Sequence, residues 1–295
     1  MGSSGEGAIK KPGWFRKGGN DDAANADAVG RARDAQSGVA KQRVAHATAL
    51  SGAIERARGV IPRGAKLRVI GDVHGDARAF AHAIATDRFI IQLGDLVDYG
   101  AESAEVLRAM LGVLAEGRGL FLLGNHDLRL ARALAGHRLR PDPVLEATLA
   151  GLDDNLGAAA LAAIRRAPAW LRSGARFFVH GGLHTAMLET PPPAEIPLGA
   201  GRITGLLGRA LYGEPTGRMQ ADGFPERSLR WVDRIPPGLT VYCGHDQRSR
   251  DGRPYVLAGA SGGRAVFLDT GAGKGGHLSW IDLPAAETPM VHGRP

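Results

Sequence analysis

The sequence predicts an α/β fold, and three observations support this prediction. The chain has 295 residues, of which 44% are hydrophobic and 23% are charged, as in ordinary globular proteins. From Lys66 onward, short apolar segments alternate with segments of helical periodicity. Side chains that can bind metal ions follow several of these apolar segments directly. Together the three features predict a sheet with a ligand-binding edge.

The first part of this region has the periodicity of alternating strands and helices. A strand is predicted at residues 67–71, and a helix is predicted from Asp76, whose carboxylate is a candidate N-cap. A second strand at residues 89–93 precedes a helix at residues 102–116, and a third strand follows at residues 119–123. This order predicts a largely parallel sheet with helices on its faces.

The second part is richer in strands. Helical segments are predicted as far as about Arg166, and residues 184–236 have the composition of an insertion between two strands. The density of short apolar segments after this point predicts an antiparallel component. The strands predicted there are residues 176–180, 239–245, 265–271 and 278–283.

The charge is unevenly distributed, which predicts the domain organisation. Residues 1–66 carry 12 Lys and Arg against 6 Asp and Glu, whereas the remaining residues carry 25 against 24. We expect a basic, partly disordered and partly helical extension at residues 1–65, a catalytic domain at 66–285 and a tail at 286–295. The basic segment at residues 10–19 is a candidate for contact with anionic surfaces, and a solvated arm is the simpler interpretation. Because the main domain is nearly neutral, no stable nucleic-acid partner is expected.

Composition also restricts the cellular location. No segment reaches the about 18 apolar residues of a membrane span, and the N-terminus lacks the pattern of a secretory signal. Cys243 is the one cysteine, so an internal disulfide is impossible. We therefore expect a cytoplasmic protein without a transmembrane segment. Its many Ala, Gly and Arg residues favour a bacterial source.

Polar side chains of metal-binding types follow five of the predicted strands. Because parallel strands end at the same edge of a sheet, we expect these side chains to lie close together. The flanking glycines allow tight turns. The six side chains, in chain order, are Asp72 and His74, then Asp95, then Asn125, then His180, and finally His245; Asp98, His126 and Asp127 lie on the same segments.

The types of these side chains indicate the kind of metal. Imidazole, carboxylate and amide oxygen without thiolate suit Mn, Fe or Zn in an open site. Six such ligands suit two ions roughly 3.5–4 Å apart, bridged by one carboxylate. A pair of ions of this kind is suited to hydrolysing a phosphoester by direct attack of water.

The motifs GDVHG, GDLVDYG, GNHD, HGG and GH resemble those of the phosphoprotein phosphatase (PPP) family of calcineurin-like metallophosphoesterases, in its bacterial branch. The resemblance extends from Lys66 to Leu283. It implies a β-sandwich flanked by helices, in four α/β/β/α layers, and two divalent metal ions, with Mn first and Fe or Zn as alternatives. It also implies that His126, oriented by Asp98, protonates the leaving oxygen. The metal ligands that it implies are Asp72, His74 and Asp95 for the first ion, with Asp95 bridging, and Asn125, His180 and His245 for the second.

The chain departs from the family motifs at Tyr99, where the family has an arginine that binds the substrate phosphate. A phenol cannot replace the charged fork of a guanidinium, so another cation is expected to help. Arg129 is the first candidate, and Arg230 represents a group of insertion arginines that also includes Arg209, Arg218 and Arg227. Asp127 replaces the family's Glu, and this change, together with the DTG ending, resembles the bacterial diadenosine tetraphosphatases.

Several functions remain open at this point. The first expectation is a Ser/Thr-type protein phosphatase that hydrolyses phosphomonoesters in phosphorylated proteins. The alternative is a nucleotide-directed hydrolase that cleaves diadenosine tetraphosphate or a related dinucleotide. A phosphotyrosine preference is a third possibility, and a catalytically inactive binding module is a fourth.

Overall fold

The structure, a computed structural model, describes residues 61–199, 201–221, 223 and 225–285. Residues 1–60, which make up most of the predicted basic and partly helical extension, and the tail at residues 286–295 lie outside the described residues. Within the described residues, no helix has the length and apolar character needed to cross a membrane.

Strands and short helices alternate along the described chain, as the sequence predicts. Two single turns of 3₁₀ helix, Thr185–Leu188 and Val232–Arg234, lie among them. In chain order the elements are β1 (Leu67–Ile70), α1 (Ala77–Ile84), β2 (Phe89–Gln92), α2 (Ser103–Ala115), β3 (Gly119–Phe121), α3 (Asn125–Leu134), α4 (Pro143–Ala150), α5 (Asp154–Arg166), β4 (Trp170–Ser173), β5 (Arg176–Val179), α6 (Gly205–Tyr212), β6 (Glu214–Met219), β7 (Pro225–Ser228), β8 (Thr240–Cys243), β9 (Tyr255–Ala258), β10 (Arg264–Phe267) and β11 (Trp280–Leu283).

The strands of the described residues form two mixed sheets and a hairpin. The first sheet has the order β11-β1-β2-β3, in which β1, β2 and β3 are parallel and β11 runs antiparallel to β1. The second has the order β4-β5-β8-β10-β9, in which β5, β8 and β10 are parallel. The outer strands β4 and β9 are antiparallel to their neighbours, which confirms the predicted antiparallel component. Strands β6 and β7 pair only with each other.

Alternating side chains separate the layers of the sandwich. In β1, Val69 belongs to the core that also contains Phe178 and Tyr242 of the second sheet. Ile70, its neighbour on the opposite face, packs in the core formed with helices α1 to α5. On the other side of the second sheet, Phe177 packs in a third core beneath the residues of the insertion. This arrangement confirms the α/β fold class, with two sheets face to face and helices outside them.

Helix α1 begins where the sequence predicts. The Asp76 carboxylate accepts a hydrogen bond from the Ala79 amide (3.0 Å), which satisfies one of the free N–H groups of the first turn. The cap also ends the segment of residues 71–75, which contains Asp72 and His74. Local sequence therefore fixes how this ligand-bearing segment leaves the sheet.

Sequence reasoning did not predict α6, β4, β9 or the β6–β7 hairpin as separate elements. The hairpin is polar and exposed along most of its length, so it lacks the apolar alternation that marks a buried strand. Strand β9 lies at a sheet edge, where Tyr255 and Val256 are exposed. These elements depend on pairing partners that are distant in the chain.

Candidate metal centre

The predicted ligands lie at the carboxyl-terminal ends of five strands. Asp72 and His74 follow β1, Asp95 and Asp98 follow β2, and Asn125 begins α3 after β3. His180 follows β5 and His245 follows β8, so the second sheet also contributes side chains to this group. The edge of the sandwich therefore gathers side chains from segments that are far apart in the sequence.

Strained backbone is concentrated at this edge. Within the described residues, every non-glycine residue with a positive φ angle belongs to these turns. A left-handed φ is disfavoured for residues that carry a Cβ, so these turns are held by their surroundings. The residues are His74 (47°), Asp95 (59°), Asp98 (75°), Tyr99 (64°) and His245 (62°).

Two glycines permit the close approach of these segments. A Cβ at Gly124 would overlap the amide nitrogen and the carboxylate of Asp95, and a Cβ at Gly244 would overlap the carboxylate of Asp72. The His245 amide also lies 3.0 Å from Asp72 Oδ2, to which it donates a hydrogen bond. The glycines in the GNHD and GHDQ segments therefore allow backbone to contact the ligand carboxylates directly.

The first group of candidate ligands is built around His74. Its Nδ1 lies 2.9 Å from the Val97 carbonyl and must donate a hydrogen there, because a carbonyl only accepts. Its Nε2 is therefore unprotonated in the neutral ring, and no described residue forms a hydrogen bond with this buried atom. The Nε2 lies 3.7 Å from Asp95 Oδ2 and 3.9 Å from Asp72 Oδ2. An unsatisfied imidazole nitrogen between two carboxylates fits a metal ligand.

The second group is built around His180. Its Nδ1 donates to the Leu93 carbonyl (2.9 Å), while its Nε2 lies 3.4 Å from Asp95 Oδ2 and 3.0 Å from Asn125 Oδ1. His245 completes this group with a buried Nε2 that has no hydrogen-bond partner in the part of the chain that the structure describes. Ligand atoms of Asp95, His180 and His245 lie within 4.8 Å of one another, and so do those of His74, Asp95 and His126. Asp95 is common to both groups, as a bridging carboxylate requires.

The buried charges of the site favour cations. The carboxyl groups of Asp72, Asp95, Asp127 and Asp269 are at most 1% exposed, and no Lys or Arg of the described chain forms a salt bridge with any of them. Burial, reinforced by the neighbouring Asp269, raises the pKa of Asp72 well above its ordinary value. Buried carboxylates are costly without a compensating positive charge. The donor set and its charge therefore fit divalent metal ions.

The histidines of the site differ in their affinity for protons. Burial lowers the pKa of His74 to about 3 and lowers that of His245 well below its ordinary value. Burial also opposes protonation of His180, but the nearby carboxylates, led by Asp95, raise its pKa to about 9. His74 and His245 are therefore neutral near pH 7, the form in which imidazole binds a metal. The carboxylates around His180, led by Asp95, therefore favour positive charge at this position.

His126 forms a dyad with Asp98, as the resemblance implies. Its Nδ1 lies 2.6 Å from Asp98 Oδ2, and Asp98 also accepts hydrogen bonds from Thr148 and Arg129. Burial raises the pKa of Asp98, but these hydrogen bonds outweigh it and hold the pKa below its ordinary value. Asp98 is therefore ionised, and its carboxylate can accept the Nδ1–H of His126 and orient the ring.

Asp127 forms hydrogen bonds that connect two of the segments containing candidate ligands. Its carboxylate accepts hydrogen bonds from the amides of Asp95 (2.8 Å), Leu96 (3.0 Å) and Gly124 (3.1 Å). Burial and the charge of Asp95 raise the pKa of Asp127 to about 7. Asp127, which stands where the family motif has the longer Glu, thus connects the turn after β2 to the start of α3 by hydrogen bonds.

The candidate phosphate-binding residues have different surroundings. Tyr99 is 40% exposed, and its ring centroid lies 4.9 Å from that of His74 and 5.2 Å from that of His126. Arg129 lies beside the dyad, where its guanidinium forms ion pairs with Asp98 and Asp142. Arg230 is exposed in the insertion, and its amide bonds to Ser228 Oγ. The geometry therefore brings Tyr99 and Arg129 to the site but leaves the charge of Arg129 largely compensated.

Sequence reasoning missed Lys274, a cation that lies beside Tyr99. Its Nζ is 4.6 Å from the centroid of the Tyr99 ring. The neighbouring Gly273 has a φ of 69°, and a Cβ there would overlap the His74 carbonyl, so this loop packs directly on the first ligand group. The glycine-rich segment GAGKGG, with one lysine among small residues, was the signal that could have identified it.

Comparisons with known proteins agree with this geometry. The family model described as calcineurin-like phosphoesterase matches residues 65–201. A symmetrical bis(5'-nucleosyl)-tetraphosphatase of Methylococcus capsulatus is 29% identical over 280 residues, covering 76% of this chain and 95% of that protein. The asymmetrical bis(5'-nucleosyl)-tetraphosphatase PrpE of Bacillus subtilis is 26% identical over 213 residues, covering 69% of this chain and 79% of that protein.

A solved structure shows the same fold. A protein serine/threonine phosphatase from Saccharomyces cerevisiae superposes with a TM-score of 0.52 at 15% identity, covering 84% of this chain and 91% of that chain. This likeness concerns the fold alone. Residues 65–201 match the model of the calcineurin-like phosphoesterases, a family of hydrolases, so the chain contains a calcineurin-like metallophosphoesterase domain.

Proposed function

We propose that this protein is a two-metal hydrolase that cleaves dinucleoside tetraphosphates. The observation that carries the reaction type is Asp95, whose carboxylate belongs to both groups of candidate ligands. The substrate class is supported by the names of the relatives, which are bis(5'-nucleosyl)-tetraphosphatases matched over most of their length. Of the expectations drawn from the sequence, the dinucleotide alternative is thus better supported than the Ser/Thr phosphatase.

The residues would hold two ions, with Mn as the first candidate and Fe or Zn as alternatives. When bound, such ions would activate a water molecule and compensate the negative charge of the phosphoryl group. The chain itself fixes the ligand nitrogens, because His74 and His180 each donate Nδ1–H to a backbone carbonyl. The first ion would be held by Asp72, His74 and Asp95, and the second by Asp95, Asn125, His180 and His245.

The proposed acid is His126. Asp98 accepts the Nδ1–H of His126, which leaves Nε2 to donate a proton to the leaving oxygen. Asp98 in turn is held by the Thr148 hydroxyl (2.6 Å) and by Arg129. The dyad is therefore fixed before the substrate arrives, and the proton donor does not need to be one of the metal ligands.

A comparison of substrates tests the proposed function. With Mn²⁺ present, we expect kcat/KM for diadenosine tetraphosphate to exceed that for phosphoserine and phosphotyrosine peptides by at least about tenfold, because a site matched to one substrate discriminates against others. A preference for either phosphopeptide would contradict the proposal and favour a protein phosphatase. If metal-loaded protein hydrolyses none of these substrates, nor para-nitrophenyl phosphate, it is an inactive binding module. The nucleotides released would distinguish symmetrical from asymmetrical cleavage.

Lys274 is proposed to bind the substrate phosphate beside Tyr99. It is exposed and, among the described residues, its ammonium forms no salt bridge, whereas the guanidinium of Arg129 is paired with Asp98 and Asp142. Lys274→Met should raise KM for both diadenosine tetraphosphate and para-nitrophenyl phosphate by about tenfold, the loss of one charge-assisted hydrogen bond.

Lys66→Met, which removes an exposed lysine at the start of β1, is the matched control and should leave KM unchanged. If KM is unchanged in Lys274→Met but raised in Arg129→Ala, then Arg129 rather than Lys274 binds the substrate phosphate.

A further inference from the structure

A basic cavity lies beside the second group of candidate ligands. It has a volume of about 690 Å³, and no Asp or Glu is among the described residues that line it. We call it the arginine pocket and define it by the residues that matter here, which are Arg132, Arg202, Arg209, Tyr212 and Arg227. A cavity of this size is in the range that binds nucleotides and other small molecules.

Two helices form the walls of the arginine pocket. Arg132 lies on α3, the helix that begins with Asn125 and His126, and Arg209 and Tyr212 lie on α6 in the insertion. Arg132 donates from Nη2 to the Gly201 carbonyl (2.9 Å), while its buried Nε has no hydrogen-bond partner among the described residues. The pocket therefore joins the helix of the proposed acid to the insertion.

The pocket is adjacent to His180 and His245. The amide of Gly181, the residue after His180, donates to the Ala210 carbonyl of α6 at 2.5 Å. The ring centroid of Tyr212 lies 6.3 Å from that of His245. A substrate bound at the second ligand group would thus have the arginine pocket as its neighbour.

The lining keeps positive charge. Arg209 is paired with Glu214 (3.0 Å), but among the described residues no carboxylate forms a salt bridge with Arg132. Arg202 is exposed at the rim. Guanidinium groups recognise phosphate through charge-assisted, often bidentate hydrogen bonds. A phosphomonoester on a small alcohol would leave such a cavity unused, whereas a chain of phosphates would extend into it.

We propose that the arginine pocket binds the nucleoside polyphosphate part of the substrate that lies beyond the cleaved bond. This inference rests on the proposed function, since it identifies the site that would distinguish a polyphosphate substrate from a simple phosphate ester. The ligand class is a nucleoside di- or triphosphate, with its phosphates on the arginines and its nucleoside in the remaining volume.

The test compares a pocket variant with a matched control. Arg132→Gln keeps an N–H donor for the Gly201 carbonyl but removes the charge. It should lower kcat/KM for diadenosine tetraphosphate by about tenfold and leave that for para-nitrophenyl phosphate within about twofold. Arg108→Gln, on the exposed face of α2 and outside the lining, should change neither value. Equal losses for both substrates, or no loss, would overturn the proposal.

Inhibition separates this inference from the proposed function. ADP should inhibit hydrolysis of para-nitrophenyl phosphate, and Arg132→Gln should raise its inhibition constant about tenfold while leaving that of inorganic phosphate unchanged. If ADP inhibits in this Arg132-dependent manner although diadenosine tetraphosphate is not cleaved, the arginine pocket does bind nucleoside polyphosphates. The proposed function is then wrong. If ADP binds no more tightly than phosphate, the pocket fails. If Arg132→Gln does not fold, Arg202→Gln, at an exposed position, takes its place. The same rise in the inhibition constant of ADP is then expected.

Discussion

Asp95→Asn should abolish hydrolysis of every phosphate substrate of this protein. Asp95 is the one carboxylate common to both candidate ligand groups, so its loss weakens both metal sites at once. Asparagine retains an oxygen that can accept the His126 amide, which lies 2.8 Å from Asp95 Oδ1, and it tolerates the left-handed φ of 59°. We therefore expect the fold to survive. The loss in kcat should be at least roughly 10³-fold, since metal-ion catalysis contributes several kcal/mol.

The measurements are the metal content after dialysis, the Mn²⁺-dependent rise in melting temperature and the kcat for para-nitrophenyl phosphate. Binding to the folded state alone raises the melting temperature, so the wild type should be stabilised by Mn²⁺ and Asp95→Asn much less. Asp154→Asn, which removes a carboxylate in the first turn of α5, is the control and should behave as the wild type. If the Asp95→Asn variant is fully active with two ions bound, Asp95 is not the bridging ligand.

The positions of the candidate metal ligands were predictable because the signal is local. Each ligand follows an apolar strand directly and is flanked by glycine, so a reading of strand ends finds His74 or His245 without knowledge of the packing. The parallel order of β1, β2 and β3 then places their ends at one edge. The β-sandwich was implied by the resemblance to the family, whereas the residue pattern itself predicted a largely parallel sheet with an antiparallel component.

The surroundings of the site were not predictable in the same way. Arg129 follows GNHD in the sequence, but its partner Asp142 lies at the N-terminus of α4, where it also accepts from the Val144 amide (3.0 Å). That pairing depends on how α3 and α4 pack. Lys274 likewise reaches Tyr99 because the loop after β10 lies on His74. The arginine pocket requires α6, an element without a strong sequence signal.

His126→Asn should slow hydrolysis of alkyl phosphates strongly and that of activated substrates weakly. A general acid typically contributes roughly 10²–10⁴-fold, and its contribution grows with the basicity of the leaving group. With phosphoserine, whose leaving group is an alkoxide, we expect a loss in this range. Para-nitrophenolate and a nucleoside polyphosphate are much weaker bases, so they need less protonation and should lose far less rate. Metal binding should be nearly unchanged, because His126 is not among the ligands proposed for either ion.

The control is His82→Asn, which removes an exposed histidine on α1 and should change none of these rates. Asp98→Asn tests the orientation of the acid, because it replaces the carboxylate that holds His126 Nδ1 at 2.6 Å. It should reproduce part of the loss with the same dependence on the leaving group. An equal loss for phosphoserine and para-nitrophenyl phosphate in His126→Asn would show that His126 does not donate the proton. His126 would then act as a metal ligand together with His74 and Asp95, because ligand atoms of the three residues lie within 4.8 Å of one another.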